Sequence, residues 1–423
     1  MPCERGVAGM CHERREKVHA EPLQVDDSVT LKIVLFANTD WYLYNFRLSL
    51  ADRLNREGWE VVMLSPPGPF GERLQEAGYR WQPFELSPGG MRPLEEAGAV
   101  LRLRRLYRDE RPRLVHHFTI KCVLYGTLAS RGLDRVGVVN AVTGLGHVFT
   151  DEGPRARLIR QVVSPLYRYC LSRENVRTVF QNRSDLEELV DRGLIPPGRA
   201  RVIRGSGVDC EKFAPGETGA GRKAPVRVLY ASRMLREKGV LELVEAARLL
   251  KGRGVDAEFV FAGSCYPDNP SSLDEGTIGR WASEGLIRFL GHVDDMPELL
   301  ASSDLVVLPS HREGTPRILL EAAAMELPVV ATDIPGCRGV VEHEVNGLLV
   351  PVRDAPALAE AIVRLVQDED LRARFGRTGR RIVLRGFDER IVLDKTLAVY
   401  QDLLMGRGGG GDPGARSWSE RIR

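Results

Sequence analysis

The sequence is short of the features that mark secreted, membrane-spanning or nucleic-acid-binding chains. Its seven cysteines (Cys3, Cys11, Cys122, Cys170, Cys210, Cys265 and Cys337) are scattered, and no two stand as C-x-x-C. That spacing argues against a zinc site and against a disulfide framework. No apolar run reaches the ~18–20 residues needed to cross a bilayer. The first 30 residues are mostly polar and lack the apolar core of a signal peptide. A reducing, cytoplasmic compartment is therefore expected. With 60 Lys+Arg against 58 Asp+Glu, the net charge of +2 excludes a chain dominated by a basic field, and nucleic acid is not an expected partner. What is present is ordinary globular material: 423 residues, 43% hydrophobic, enough for two cores.

The balanced total hides an uneven distribution. Residues 31–205 carry 27 Lys+Arg and 19 Asp+Glu, whereas residues 206–404 carry 25 and 31. The first half is basic and suits phosphate-bearing or anionic partners.

Apolar, β-branched runs alternate with helical patterns along both halves. LKIVLFA (31–37), WEVVMLS (59–65), LVHHF (114–118), VGVVNAV (136–142) and RTVFQN (177–182) read as buried strands. After a Gly/Pro-rich stretch at 206–225, VRVLYAS (226–232), AEFVFAG (257–263), IRFLG (287–291), DLVVLPS (304–310), PVVATD (328–333) and GLLVP (347–351) repeat the pattern. In the helix after Gly239, Val240, Leu243, Val244, Ala247 and Leu250 form one apolar stripe. The alternation predicts an α/β chain with two doubly wound parallel sheets facing across a cleft. The expected segments are a flexible extension (1–30), an N-terminal domain (31–205), a linker (206–225) and a second domain (226–385). A C-terminal helix (386–404) packing back on the first domain and a disordered tail (405–423) complete the chain.

Two motifs stand at strand ends in the second half. RMLREKG (233–239) places Arg233 and Lys238 at a strand-to-helix turn, where Arg clamps phosphate bidentately and Lys acts as a point charge. Gly239 permits close backbone approach. EGTPRILLE (313–321) follows the next strand but two; Gly314 allows a tight turn, and Pro316 suits the first helical position. The helix mouth offers unpaired N–H groups to a phosphate. Glu313 and Glu321 would then hold hydroxyls on either side of a diphosphate. Taken alone, Glu313 is equally a loop carboxylate, Glu321 a solvated helix residue, and Arg233 and Lys238 surface cations.

In this order, the R-x4-K-G turn and the E-x7-E element resemble the retaining glycosyltransferases of family 4, which have the GT-B fold. The resemblance spans about residues 31–404. It implies that Arg233 and Lys238 bind the donor diphosphate, that Glu313 contacts the donor hexose and Glu321 the ribose, and that no metal or cofactor is required. Arg233, Lys238 and Glu313 are the catalytic candidates. Gly239, Gly314, Thr315, Pro316, Arg317 and Glu321, with Gly144 and Gly146 of VTGLGHVF, complete the donor-binding set. Thr315 is smaller than the residue that family members usually carry there, a difference that bears on the donor sugar.

TGLGHVF, ARLIRQVVSPLYRYCLSR (156–173) and IRGSGVDCEKF (203–213) resemble the subgroup that extends polyprenyl-diphosphate-linked saccharides with an N-acetylhexosamine. This implies a UDP-sugar donor, a polyprenyl-diphosphate saccharide acceptor and attachment to the inner face of the plasma membrane. Segments 156–173 and 99–108 mix apolar residues with arginines, as an interfacial helix on anionic lipid does; core helices with snorkelling arginines look the same. The acceptor-binding candidates lie at strand ends of the first half: Asn38, Thr39 and Asp40, then His116, Thr119 and Lys121. Asn38–Asp40 also reads as an ordinary helix cap.

Other chemistries fit less well. A retaining glycosidase needs carboxyls ~5–5.5 Å apart, and the helical placement of Glu321 separates it further from Glu313. The dinucleotide fingerprint of a dehydrogenase is missing. Asp368-Glu369-Asp370 spells D-x-D but lies between helical segments and is not taken as a metal site. A GT-B epimerase, a phosphorylase or a non-catalytic membrane scaffold remains as an alternative.

Overall fold

The computed structural model describes residues 31–86, 93–133, 136–144, 153–216, 225–267 and 269–405. The expected extension 1–30, residues 217–224 of the expected linker and 406–423 of the tail lie outside them.

Two parallel sheets form. The first contains β1 (Leu31–Phe36), β2 (Trp59–Ser65), β3 (Arg80–Pro83), β4 (Leu114–Phe118), β5 (Gly137–Val142), β6 (Val176–Phe180) and β7 (Ala200–Val202), in the order β3-β2-β1-β4-β5-β6-β7. The second contains β8 (Val226–Ala231), β9 (Ala257–Ala262), β10 (Arg288–Gly291), β11 (Leu305–Leu308), β12 (Val329–Thr332) and β13 (Gly347–Val350), in the order β10-β9-β8-β11-β12-β13. Both orders reverse beside the first strand of the sheet, at β1/β4 and β8/β11, which opens a crevice beyond the strand ends. The central strands are buried on both faces, as their continuous Val/Ile/Leu runs require.

In the first sheet, Ile33, Leu35, Phe118 and Ala141 pack on one face against the helices Asp40–Arg56 and Glu389–Met405. Val34, Phe36, Val115 and Val138 pack on the other with Leu103, Tyr107 and Cys122. The helix Val240–Gly252 buries the expected stripe, Val240 to Leu250, against the second sheet. The helix Glu389–Met405 inserts Val392, Leu397, Tyr400 and Leu403 into the first domain's core, so the last described helix packs on the domain that holds β1.

The expected linker is partly core. Val208, Cys210 and Phe213 are buried with Phe387 in the second domain. Val208 pairs in parallel with Asp388: its N–H donates to Phe387 O at 3.0 Å, and its O accepts from Glu389 N at 3.0 Å. Gly207 sits beside this bridge, and a Cβ there would lie 2.7 Å from Glu389 Cα. The two crossings between domains are thus hydrogen-bonded to each other.

Candidate active site

The turn after β8 begins with an exposed Arg233 and passes through a single 3₁₀ turn, Arg236–Lys238, to Gly239. Gly239 has φ 73°, and a Cβ would meet Pro309 O at 2.0 Å. Only glycine fits, because this left-handed residue presses the turn against the end of β11. The segment that follows β11 is held by the same turn. His311 N–H donates to Glu237 O at 2.9 Å, and His311 Nε2 lies 2.8 Å from Glu242 Oε1. Burial raises the Glu237 carboxyl, but the hydrogen bond from Ser271 and the charges of Arg233 and Lys238 bring it below its ordinary value.

The two motifs meet directly. Lys238 Nζ donates to Glu313 Oε1 at 2.6 Å, both side chains being largely buried. A buried pair of this kind needs its partner: removing one member leaves an uncompensated charge at a cost of about 3–5 kcal/mol. Gly336 backs the turn, since a Cβ there would lie 2.3 Å from Glu313 O.

The helix Arg317–Ala324 starts one residue later than expected. Pro316 is its N-cap, not its first residue, and Arg317 takes that position. Glu321 is not a solvated helix residue; it is buried, 7% exposed. Burial raises its carboxyl above the ordinary value, opposed by Arg317 and Lys212. Arg317 is held on two sides: its Nε donates to Glu321 Oε1 at 2.7 Å and its Nη1 to Asn45 O at 2.5 Å.

The first domain closes on this turn. Thr315 Oγ1 donates to Gln181 O at 3.4 Å. A Cβ on Gly314 would strike Gln181 Oε1 and Thr143 O, each at 2.6 Å, and one on Gly205 would lie 3.3 Å from Thr315 Cβ. Gln181 has no sequence signal beyond its position at a strand end, whereas Thr143 and Gly205 fall within TGLGHVF and IRGSGVDCEKF. Gly144 adjoins Thr143, and among the described residues no atom lies within 4 Å of a Cβ placed on it; Gly146 lies outside the described residues.

The acceptor candidates separate into two groups. Asn38 and Thr39 are exposed at the end of β1, and Thr39 caps its helix by accepting from Tyr42 N at 3.1 Å. The other four are committed within the first domain. Asp40 accepts from Phe70 N at 2.7 Å and Gly71 N at 2.9 Å, which makes it a brace for the next loop. His116 is buried with Nδ1 2.6 Å from Tyr400 Oη, because the C-terminal helix covers that face; burial, then Arg47 and His117, lower its pKa and keep it neutral. His117 lies between Tyr107 and Asn140 on the opposite face. Thr119 holds φ 72° and turns its hydroxyl towards the buried Cys122. Lys121 pairs with Glu96 at 2.8 Å.

Asp368 of the D-x-D caps the helix Glu369–Gly386, accepting from Leu371 N at 2.8 Å. Among the described residues no group of three His, Cys, Asp or Glu is placed to hold a metal.

Comparison with known proteins adds the remaining finding. Residues 45–205 match the family described as glycosyl transferase 4-like domain, and residues 225–368 match glycosyl transferases group 1. The chain belongs to glycosyltransferase family 4. This family-4 enzyme is 27% identical over 385 residues to the N,N'-diacetylbacillosaminyl-diphospho-undecaprenol α-1,3-N-acetylgalactosaminyltransferase of Campylobacter jejuni, covering 88% of this chain and 99% of that one. It is 26% identical over 324 residues to the UDP-Gal:α-D-GlcNAc-diphosphoundecaprenol α-1,3-galactosyltransferase of Escherichia coli, covering 74% and 81%. The solved sucrose-phosphate synthase of Thermosynechococcus elongatus superposes with a TM-score of 0.72 at 19% identity, over 89% of this chain and all of that one. The fold of the glycosyltransferase is GT-B.

Proposed function

We propose that the enzyme moves a sugar, an N-acetylhexosamine, from a UDP-sugar to a polyprenyl-diphosphate-linked saccharide, with retention and without a metal. The observation that carries this reading is the Lys238–Glu313 pair at 2.6 Å, which sets a cation and a carboxylate side by side at the mouth of the helix Arg317–Ala324. Lys238, the exposed Arg233 and the helix mouth take the charge that develops on the departing diphosphate; preorganised charge at that point is the main catalytic term. Glu313 orients the hexose and Glu321 the ribose. The two relatives whose names specify undecaprenyl-diphosphate acceptors support the substrate class.

The test is a panel of UDP-sugars assayed against a polyprenyl-diphosphate N-acetylhexosamine, with EDTA present and the linkage read by NMR. Lys238→Ala and Glu313→Ala are each expected to lower kcat at least a hundredfold, with circular dichroism unchanged. Near-wild-type turnover in both would remove the mechanism.

We infer from the proposed lipid-linked acceptor that the enzyme works on the inner face of an anionic membrane. Support comes from the helix Pro93–Glu110, where Leu94 is 88% and Leu101 59% exposed beside exposed Arg102, Arg105 and Arg108. The helix Pro154–Leu171 contributes less than its composition suggests, because Tyr167, Cys170 and Leu171 are core; the side chains of 154–159 and 162 lie outside the described residues. Among the described residues no helix is long and apolar enough to cross a membrane. Flotation with phosphatidylglycerol vesicles is expected to be lost on reversing the charge of Arg102, Arg105 and Arg108. Unchanged flotation would exclude this helix.

A further inference from the structure

A cation in the first turn of a helix opposes the helix dipole, and Arg317 stands at the first helical position of the helix that faces the donor. What it gains there is a set of three contacts. Its Nε holds Glu321 Oε1 at 2.7 Å, one turn along the same helix. Its Nη1 crosses the cleft to Asn45 O at 2.5 Å. Its guanidinium carbon lies 5.2 Å from the centre of the Phe46 ring, which Trp41 and Tyr42 fix in turn with centroids at 5.2 Å each. Asn45 and Phe46 belong to the first-domain helix Asp40–Arg56. Glu321 is a buried carboxylate that burial drives towards the neutral form, and Arg317 is the group that opposes this directly.

We propose that Arg317 is a positioning residue: it holds Oε1 of Glu321 so that the other oxygen is left for the donor's ribose, and it ties that carboxylate to Asn45 and Phe46, so that donor affinity depends on a contact made by the other domain. This rests on the reading that Glu321 engages the ribose. The planar fork of arginine is needed, because a lysine ammonium pairs with Glu321 but neither spans to Asn45 at the same time nor stacks on Phe46.

The test is UDP binding by calorimetry, with kcat and donor KM alongside, on folded protein checked by thermal melting. Arg317→Ala is expected to raise the UDP Kd about tenfold, and Arg317→Lys to recover only part of that loss. Phe46→Leu, which keeps apolar bulk, is expected to raise the Kd about threefold, though Phe46 belongs to the first domain. In the Arg317→Ala background it should add nothing, because residues acting through one contact are not additive. An unchanged Kd in Phe46→Leu, or losses that multiply in the double variant, overturns the coupling. Glu321→Gln separates the two ideas. If it leaves UDP affinity intact, the ribose contact is wrong and the proposal falls with it. If it weakens UDP while Phe46→Leu does not, the ribose contact stands and only the coupling is lost.

Discussion

Glu321 shows how little a residue's type says about its state. In sequence it is the second acid of a motif; in the structure it is a buried carboxylate whose folded pKa lies above its ordinary value of 4.5, raised by burial and held down by Arg317 and Lys212. The sign follows from that direction. As the pH rises, the unfolded chain loses this proton first, so above 4.5 the group subtracts stability, and the cost is relieved as the pH falls through the folded pKa. Donor binding runs the other way, because a protonated Glu321 no longer accepts two hydroxyls. UDP affinity measured by calorimetry should therefore fall on acidification with a midpoint above 4.5, and the step should vanish in Glu321→Gln. A midpoint at or below that value would show an ordinary, solvated carboxylate.

At the scale of elements, the strands that carry the site were legible because parallel strands buried on both faces must carry continuous apolar runs, as Ile33–Phe36 of β1, Val61–Leu64 of β2 and Leu305–Leu308 of β11 do. Two were missed. RWQP of β3 and ARV of β7 are short outer strands at opposite ends of the first sheet, with one neighbour each, and such strands have no long run to read. The turns at Gly239 and Gly314 could be placed from the strand that precedes each. What they touch could not: Gln181, Thr143, Gly205 and Asn45 come from segments more than 100 residues away, and local periodicity contains no record of such partners. His116 and Asp40 were misjudged for the same reason, since the groups that occupy them, Tyr400 and the 70–71 loop, arrive from elsewhere. The helix Glu389–Met405 gives this a measurable form. It contributes Val392, Leu393, Leu397, Val399, Tyr400, Leu403 and Leu404 to the first domain's core. Each of these side chains gains about 1.5–3 kcal/mol from burial, and a loss of about one or two kcal/mol is already a large fraction of a domain's net stability. A chain ending at Gly386 is expected to aggregate or to lose its cooperative melt, by size exclusion and calorimetry. A soluble, two-domain melt would contradict the packing.

For the molecule as a whole, the arrangement of the domains is itself part of the site. The Glu313 turn belongs to the second domain, but its next residues press on Gln181, Thr143 and Gly205 of the first. Thr315 and Gly205 lie close together: a Cβ added at Gly205 would lie 3.3 Å from Thr315 Cβ and Cγ2, so bulk added on either side of this contact must push the other away. Thr315→Phe is expected to wedge the domains apart, visible as an increased radius of gyration in solution scattering and at least a tenfold drop in kcat/KM. Restoration of neither by a second-site change at Gln181 would be consistent with backbone, not side-chain, contact. An unaltered scattering profile with full activity would mean that the turn has room to spare.

The paired crossings at Val208 and Asp388 have a mechanical consequence. Two lobes joined by one thread can swivel freely, but two threads laced to each other behave as the spine of a book. Opening is then confined to a single axis along that lacing. The pages part at the fore-edge and meet again each time in the same register.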